Sequence, residues 1–168
     1  MIRKCVKTDF SAILHIFDKA RSFMSANGNP TQWGGEYPGL EELERDYTAS
    51  SGFVIEREGL VIAYCALRPG PEPCYQVIQD GEWPDELPYI TVHRVASDGS
   101  AHGIFREILD FCTLLPFPRI RIDTHENNVV MKDLLERFGF TRCGVIYVPD
   151  GTPRTAFIRK NVNRVQDF

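Results

Sequence analysis

The sequence predicts an α/β fold of the mixed-sheet (α+β) kind, with about six to seven strands flanked by about four helices. Three observations predict it. Short apolar runs with strand character alternate with segments of helical period, in the order β-α-α-β-β-β-α-β-α-β-β. A strand–helix–strand unit in the middle, residues 89–124, requires locally parallel strands, whereas the runs on either side are joined closely enough to be antiparallel. The length of 168 residues suits a single domain, residues 1–168. By the usual scaling such a chain folds to roughly 8,400 Å² from roughly 27,800 Å² and buries about 70% of its surface.

Each element follows from local pattern. Ile2 to Val6 reads as a short first strand. Thr8 or Asp9 can cap a helix whose apolar stripe is Phe10, Ile13, Leu14, Phe17, Ala20 and Met24, and Asn27-Gly28-Asn29-Pro30 stops it. The stretch up to Gly39 is an aromatic loop with Trp33 and Tyr37, and Leu40 to Tyr47 is a second, acidic helix. Phe53–Arg57 and Val61–Leu67 are strands turned at Glu58-Gly59. Arg68 to Pro88, with five prolines and two glycines, reads as an inserted excursion with one short strand around Tyr75-Gln76-Val77-Ile78. Tyr89–Ala96 is a strand and Gly103–Leu115 a helix ended by Pro116 and Pro118. Ile120–Thr124 is a strand. Asn127 or Asn128 caps a helix with stripe Val130, Met131, Leu134, Leu135 and Phe138, closed by Gly139. Arg142–Val148 and Arg154–Arg159 form a terminal hairpin.

Composition excludes several classes. Apolar residues at 43% and charged residues at 25% are globular values, not those of a disordered chain. No apolar run reaches the ~18 residues of a membrane helix, and Met1-Ile2-Arg3-Lys4-Cys5 lacks the apolar core of a signal peptide, so no membrane partner is expected. Five cysteines, at 5, 65, 74, 112 and 143 and without a CxxC, fit reduced thiols in a cytoplasm, with Cys65 and Cys112 on apolar stripes. A net charge of −4 with no basic stripe speaks against nucleic acid.

Two segments together resemble the GNAT superfamily of N-acetyltransferases. Tyr89-Ile-Thr-Val-His-Arg-Val-Ala-Ser-Asp-Gly-Ser-Ala-His-Gly-Ile-Phe-Arg-Glu-Ile-Leu109 is similar to the family's fourth strand, pyrophosphate loop and following helix. Ile120-Arg-Ile-Asp-Thr-His-Glu-Asn-Asn-Val-Val-Met-Lys-Asp-Leu-Leu-Glu-Arg-Phe-Gly-Phe140 resembles the fifth strand and the helix after it, with Asn128, Met131, Gly139 and Phe140 at the family's spacing. The order of elements agrees over nearly the whole chain. The family's loop reads Gln/Arg-x-x-Gly-x-Gly/Ala, and the matching residues here are Ser100, Gly103 and Phe105, so only the central glycine is kept.

The resemblance implies a fold, a co-substrate and a site. The co-substrate is acetyl-CoA, with no metal. A helix N-terminus offers converging N–H groups and a favourable dipole to a pyrophosphate, and Ser100, Ala101, His102, Gly103, Ile104, Phe105 and Arg106 lie where strand passes into helix. The same residues also suit an ordinary tight turn. Asn128 and Met131 match positions at the pantetheine arm, and Asn128 is equally a plain N-cap.

Transfer to an amine poses a proton problem. A lysine-like amine with pKa ~10.4 is neutral in about one molecule in 2,500 at pH 7, roughly 4.6 kcal/mol uphill. By the period-two rule Tyr89, Thr91, His93 and Val95 share a face, and histidine is the one residue type there whose ordinary pKa lies near neutrality, which makes His93 the candidate catalytic base, with a structural histidine as the alternative. The backbone N–H near Val95 matches the family's oxyanion donor. The family's usual acid is a tyrosine seven residues after the asparagine; Leu135 stands there, and Tyr147 on the neighbouring strand is the substitute.

Trp33, Tyr37, Tyr75 and Trp83, with Asp80, Glu82, Asp85 and Glu86, are the candidates for an acidic, aromatic mouth that would take a cationic small-molecule amine. A solvated loop explains the acidic residues as well. His125-Glu126 is not an HExxH metal motif, because Val129 occupies the second histidine position. Dimers are common in folds of this kind, so a homodimer is compatible with the sequence, which marks no interface. A CoA-binding protein without catalysis, and an enzyme using another acyl-CoA, are the rival functions.

Overall fold

The computed structural model describes residues 1–162. The expected order of elements is present: β1 (Ile2–Lys4), α1 (Phe10–Ala26), α2 (Leu40–Thr48), β2 (Gly52–Arg57), β3 (Leu60–Pro69), β4 (Tyr89–Ser97), α3 (Ile104–Cys112), β5 (Arg119–Thr124), α4 (Val129–Arg137), β6 (Thr141–Tyr147) and β7 (Pro153–Lys160). The strands form one mixed sheet in the order β1-β2-β3-β4-β5-β7-β6. β4 and β5 run parallel, while β1–β2, β2–β3, β5–β7 and β6–β7 are antiparallel. Residue contacts divide the chain into two units, one of residues 1–67 and 92–109, the other of residues 68–91 and the chain from Asp110 on.

In the first unit the helical period of α1 does what it predicts. Ile13, Phe17 and Ala20 are buried, Phe10, Leu14 and Met24 lie against them, and Ile16 widens the stripe. They meet Leu43 from α2, Val54, Tyr64 and Ala66 from the sheet, and Trp33 from the loop. Asp9 precedes α1 but makes no side-chain cap to it. Its carboxylate instead accepts from Val6 N and from the Arg3 guanidinium, each at 2.8 Å, which ties the first strand to the helix entry. The β2–β3 turn has Glu58 at φ 51° and Gly59 at φ 79°, the double left-handed geometry that a tight hairpin needs.

In the second unit β5 pairs with β7 from Arg119↔Lys160 to Thr124↔Thr155, and the β6–β7 register shifts around Cys143. Helix α3 ends at Cys112 rather than Leu115; turns continue to Leu115, and Asn161 Nδ2 satisfies Cys112 O at 2.7 Å. The short strand expected around Tyr75 is instead a 3₁₀ turn, Pro73–Tyr75, followed by a single bridge, Gln79↔Val145. Two glycines admit the bridge: a Cβ on Gly81 would sit 1.9 Å from Cys143 O, and one on Gly144 2.5 Å from Gln79 O.

Candidate functional site

β4 pairs with β5 from Tyr89↔Arg119 to Thr91↔Arg121. Three residues on, Arg94 has φ 52°, a left-handed conformation inside a strand. Such a residue turns the chain and ends strict alternation, so the shared face expected for Tyr89, Thr91, His93 and Val95 does not carry through Arg94. Thr91 is buried, and His93 and Val95 are half-buried.

The Arg94 side chain leads to Asp46 on α2. Asp46, with 0% exposure, accepts from Arg94 Nε at 2.8 Å, from Arg94 Nη2 at 2.5 Å and from Tyr64 Oη at 2.7 Å. Burial alone would lower the guanidinium pKa, but the Asp46 carboxylate more than reverses this, so Arg94 stays cationic. Burial, then Asp46, pushes the Tyr64 phenol up, which keeps it a donor. On Arg94, Tyr37 adds a smaller effect in the same direction as Asp46. Asp46 was legible only as one acid of an acidic helix, yet it lies three residues after Leu43, on the buried side, and that spacing is the signal that marks it.

After β4 the chain turns through Gly99 at φ 82° and Gly103 at φ 78° into α3. Ser100 N donates to Asp98 Oδ1 at 2.8 Å, and Glu107 N closes the first helical bond on Gly103 O at 3.0 Å. Burial would raise the Asp98 carboxyl, but Ser100 outweighs it and holds the group below the usual carboxylate range. A Cβ added to Gly103 meets nothing within 4 Å, so the loop is open above its backbone. Ile104 and Phe105 are buried, Ala101 is half-buried, and Ser100, His102, Gly103 and Arg106 are exposed. The first-turn N–H groups of a helix have no partner within it. Bare backbone, helix N-terminus and the Arg106 cation fit a diphosphate, with the Asp98 charge opposing it.

The second unit holds the other residues that the resemblance singles out. Asn128 Oδ1 accepts from Met131 N at 3.1 Å and caps α4; Met131 is half-buried. Leu135 is fully buried, and Tyr147, at the end of β6, is exposed. His125 Nδ1 accepts from Asn127 N at 3.0 Å, and burial, helped by Arg154, lowers its pKa. Glu126 accepts from Thr155 Oγ1 at 2.7 Å and from Lys132 Nζ at 3.0 Å. Among the described residues no group of three His, Cys, Asp or Glu side chains is placed to hold a metal.

The four aromatic residues expected at an open mouth are differently placed. In the first unit Trp33 is buried edge-on to Phe17, with centroids 5.9 Å apart, and borders a shallow cavity of about 550 Å³ with Arg21, Ser22, Ser25 and Pro30; Tyr37 is exposed. In the second, Tyr75 is enclosed and donates to Asp123 Oδ1 at 2.6 Å, and Trp83 Nε1 donates to Tyr75 O at 2.8 Å. The Arg121 guanidinium lies 4.1 Å from the Trp83 centroid and 4.0 Å from that of Tyr89. Asp85 is paired with Arg119 at 2.7 Å. Tyr75, Trp83 and Asp85 thus hold the excursion in place: the faces of Trp83 and Tyr89 cover the buried Arg121, Tyr75 packs against Trp83 with centroids 5.3 Å apart, and Asp85 pairs with the half-buried Arg119.

No protein-family model and no curated protein matches the chain. Solved structures do. A GNAT-family acetyltransferase from Streptococcus agalactiae superposes with a TM-score of 0.87 at 26% identity, over 97% of this chain and 96% of that one. A GNAT-family acetyltransferase from Listeria monocytogenes gives 0.68 at 18% identity, over 95% and 94%. A ribosomal-protein-alanine N-acetyltransferase from Brucella melitensis gives 0.58 at 20%, over 95% and 99%; these last two are alike in fold.

Proposed function

We propose that this chain, which belongs to the GNAT superfamily of N-acetyltransferases, transfers the acetyl group of acetyl-CoA to the primary amine of a small molecule within a ternary complex. The observation that carries the reading is the passage from β4 into α3, where Gly103 presents uncovered backbone at a helix N-terminus. Gly103, Ile104 and their neighbours in the loop from Ser100 to Arg106 hold the diphosphate, and Arg106 adds charge. Asn128, whose Oδ1 accepts from Met131 N at the start of α4, is the candidate contact to the pantetheine arm. Acetyl-CoA supplies an activated thioester when bound.

His93 collects the proton of the attacking amine, directly or through water. The N–H of Val95 donates to the carbonyl oxygen as negative charge builds there; the left-handed conformation of Arg94, one residue earlier, supports that role because a break in extended geometry turns neighbouring backbone groups away from a regular ladder. Tyr147 is the candidate donor to the departing sulfur. Trp33 and Tyr37 are the candidate acceptor contacts in the first unit.

The test is thiol release from acetyl-CoA with a panel of small amines and, as the competing acceptor class, peptides with a free N-terminus. Turnover with small amines and loss of rate with a changed pH profile in His93→Gln support the reading. A second reading, a CoA-binding protein without catalysis, is favoured by buried Leu135 at the family's tyrosine position. Calorimetric CoA binding with no thiol release would establish it.

A further inference from the structure

We infer that Asp46 is a positioning residue for the transfer reaction, acting through Arg94 on the backbone of β4; the inference rests on the function proposed above. A non-glycine residue reaches φ 52° in the interior of a strand only when its surroundings hold it there. The surroundings of Arg94 are specific. Its guanidinium is gripped at two nitrogens by Asp46, 2.8 and 2.5 Å away, and Asp46 is itself fixed by Tyr64 Oη at 2.7 Å. Asp46 belongs to α2, whose Leu43 is part of the same buried cluster as Tyr64, so the carboxylate cannot shift without disturbing that core. A two-pronged, buried attachment fixes both the position and the direction of a side chain. Here it determines the left-handed turn between His93 and Val95, the two residues assigned to the proton and to the oxyanion.

The pair therefore acts on kcat and leaves CoA binding, which belongs to the loop after β4, nearly untouched. The test separates the ion pair from the backbone angle with two double variants, Asp46→Asn/Arg94→Gly and Asp46→Asn/Arg94→Ala. Both remove the two charges together, so neither strands a buried ion. Glycine enters the left-handed region freely and alanine does not. The glycine double variant is expected to keep kcat within about threefold of wild type and the alanine double variant to lose at least tenfold, with the calorimetric Kd for CoA within about twofold in both. Equal kcat in the two overturns the inference.

Asp46→Asn alone, which preserves volume, is expected to lower kcat about tenfold at unchanged CoA affinity, and a wild-type kcat there also overturns it. Amide hydrogen exchange at Val95 gives a readout that needs no turnover. It is expected to be slower in the alanine than in the glycine double variant, because a strand without the turn returns that N–H to its ladder, and equal rates count against positioning. A wild-type protein that releases no thiol defeats the proposed activity instead, while the exchange comparison still decides the role of the pair.

Discussion

Tyr75 donates its phenolic hydrogen to Asp123 Oδ1 at 2.6 Å from a ring that is only 1% exposed. Burial first, then the Asp123 carboxylate, raises the phenol far above its ordinary pKa, so it remains a donor throughout the working range. A hydrogen bond from a buried hydroxyl to a charged acceptor contributes about 1.5–3 kcal/mol. Tyr75→Phe is therefore expected to lower stability by that amount and Tm by roughly 4–10 °C, with the KM for the acceptor unchanged. Thermal denaturation alongside steady-state kinetics checks both; a raised KM at unchanged Tm would return Tyr75 to the substrate site.

Gly81 and Gly59 both have positive φ, 152° and 79°, but only Gly81 faces an obstacle, Cys143 O at 1.9 Å from an added Cβ. Gly59→Ala should cost about 1–2 kcal/mol, the conformational penalty alone. Gly81→Ala must in addition push two backbones apart at the Gln79–Val145 bridge, and should cost more than about 3 kcal/mol. Urea unfolding of the two variants measures the difference. Equal costs would mean that the excursion is not held at this point.

The contrast between these glycines marks what could be read in the sequence. Gly59 follows Glu58 between two alternating runs, a local signal, and the turn is where the pattern puts it. The stripe of α1, the Asn128 cap and the Gly139 stop were legible for the same reason, since each depends on residues three or four apart. Nothing near Gly81 announces Cys143, sixty-two positions on, and the prolines around Tyr75 suggested exposure where long-range packing gives burial. Arg94 was hidden differently. Its neighbours Val92, His93, Val95 and Ala96 make a regular strand pattern, and the bend comes from a carboxylate in another element. Gly103, in the loop after β4, was legible as part of a turn, whereas the engagement of Asp98 by Ser100 follows only from geometry.

Asp9 governs part of the acid stability. The Arg3 guanidinium, beside it at 2.8 Å, holds its carboxyl below the ordinary range, and Val6 N adds to this against a burial effect of opposite sign. A carboxylate whose pKa is lower folded than unfolded contributes stability that is complete above the unfolded value, ~3.9, and is lost as pH falls through the folded one. Asp9→Asn should remove roughly 1–3 kcal/mol near neutrality and flatten the decline of stability below about pH 4. Denaturant midpoints measured from pH 2 to 7 test this; parallel curves for variant and wild type would locate the acid transition elsewhere.

The loop after β4 makes a prediction about ligand binding that does not need turnover. Gly103→Ala meets no atom within 4 Å, so its effect on the free protein is only the cost of φ 78°, about 1–2 kcal/mol. With a diphosphate against the backbone, the new methyl occupies ligand space as well. CoA at 100 times its Kd stabilises a protein by about 2.7 kcal/mol. Scanning fluorimetry should show such a shift for wild type and about half of it for Gly103→Ala at the same CoA concentration, with affinity reduced about tenfold by calorimetry. An unchanged ligand shift in the variant would move the diphosphate away from this loop.

Tyr147 tests how much acid catalysis the reaction requires. It is exposed at the end of β6, and Leu135, fully buried, occupies the position where the family's tyrosine would stand. An exposed phenol is a poorly held donor, because its hydrogen bonds to water compete with those to a departing group. The leaving group also asks for little. A CoA thiol resembles cysteine, with pKa ~8.5, so near neutrality the thiolate departs at a cost of about 2 kcal/mol. General acids earn factors of about 10² to 10⁴ where the leaving group is strongly basic. Tyr147→Phe should therefore reduce kcat by less than about tenfold, and the deficit should vanish above about pH 9, where the thiolate needs no proton. A loss of 10² or more that persists at high pH would show instead that Tyr147 binds or orients the acceptor.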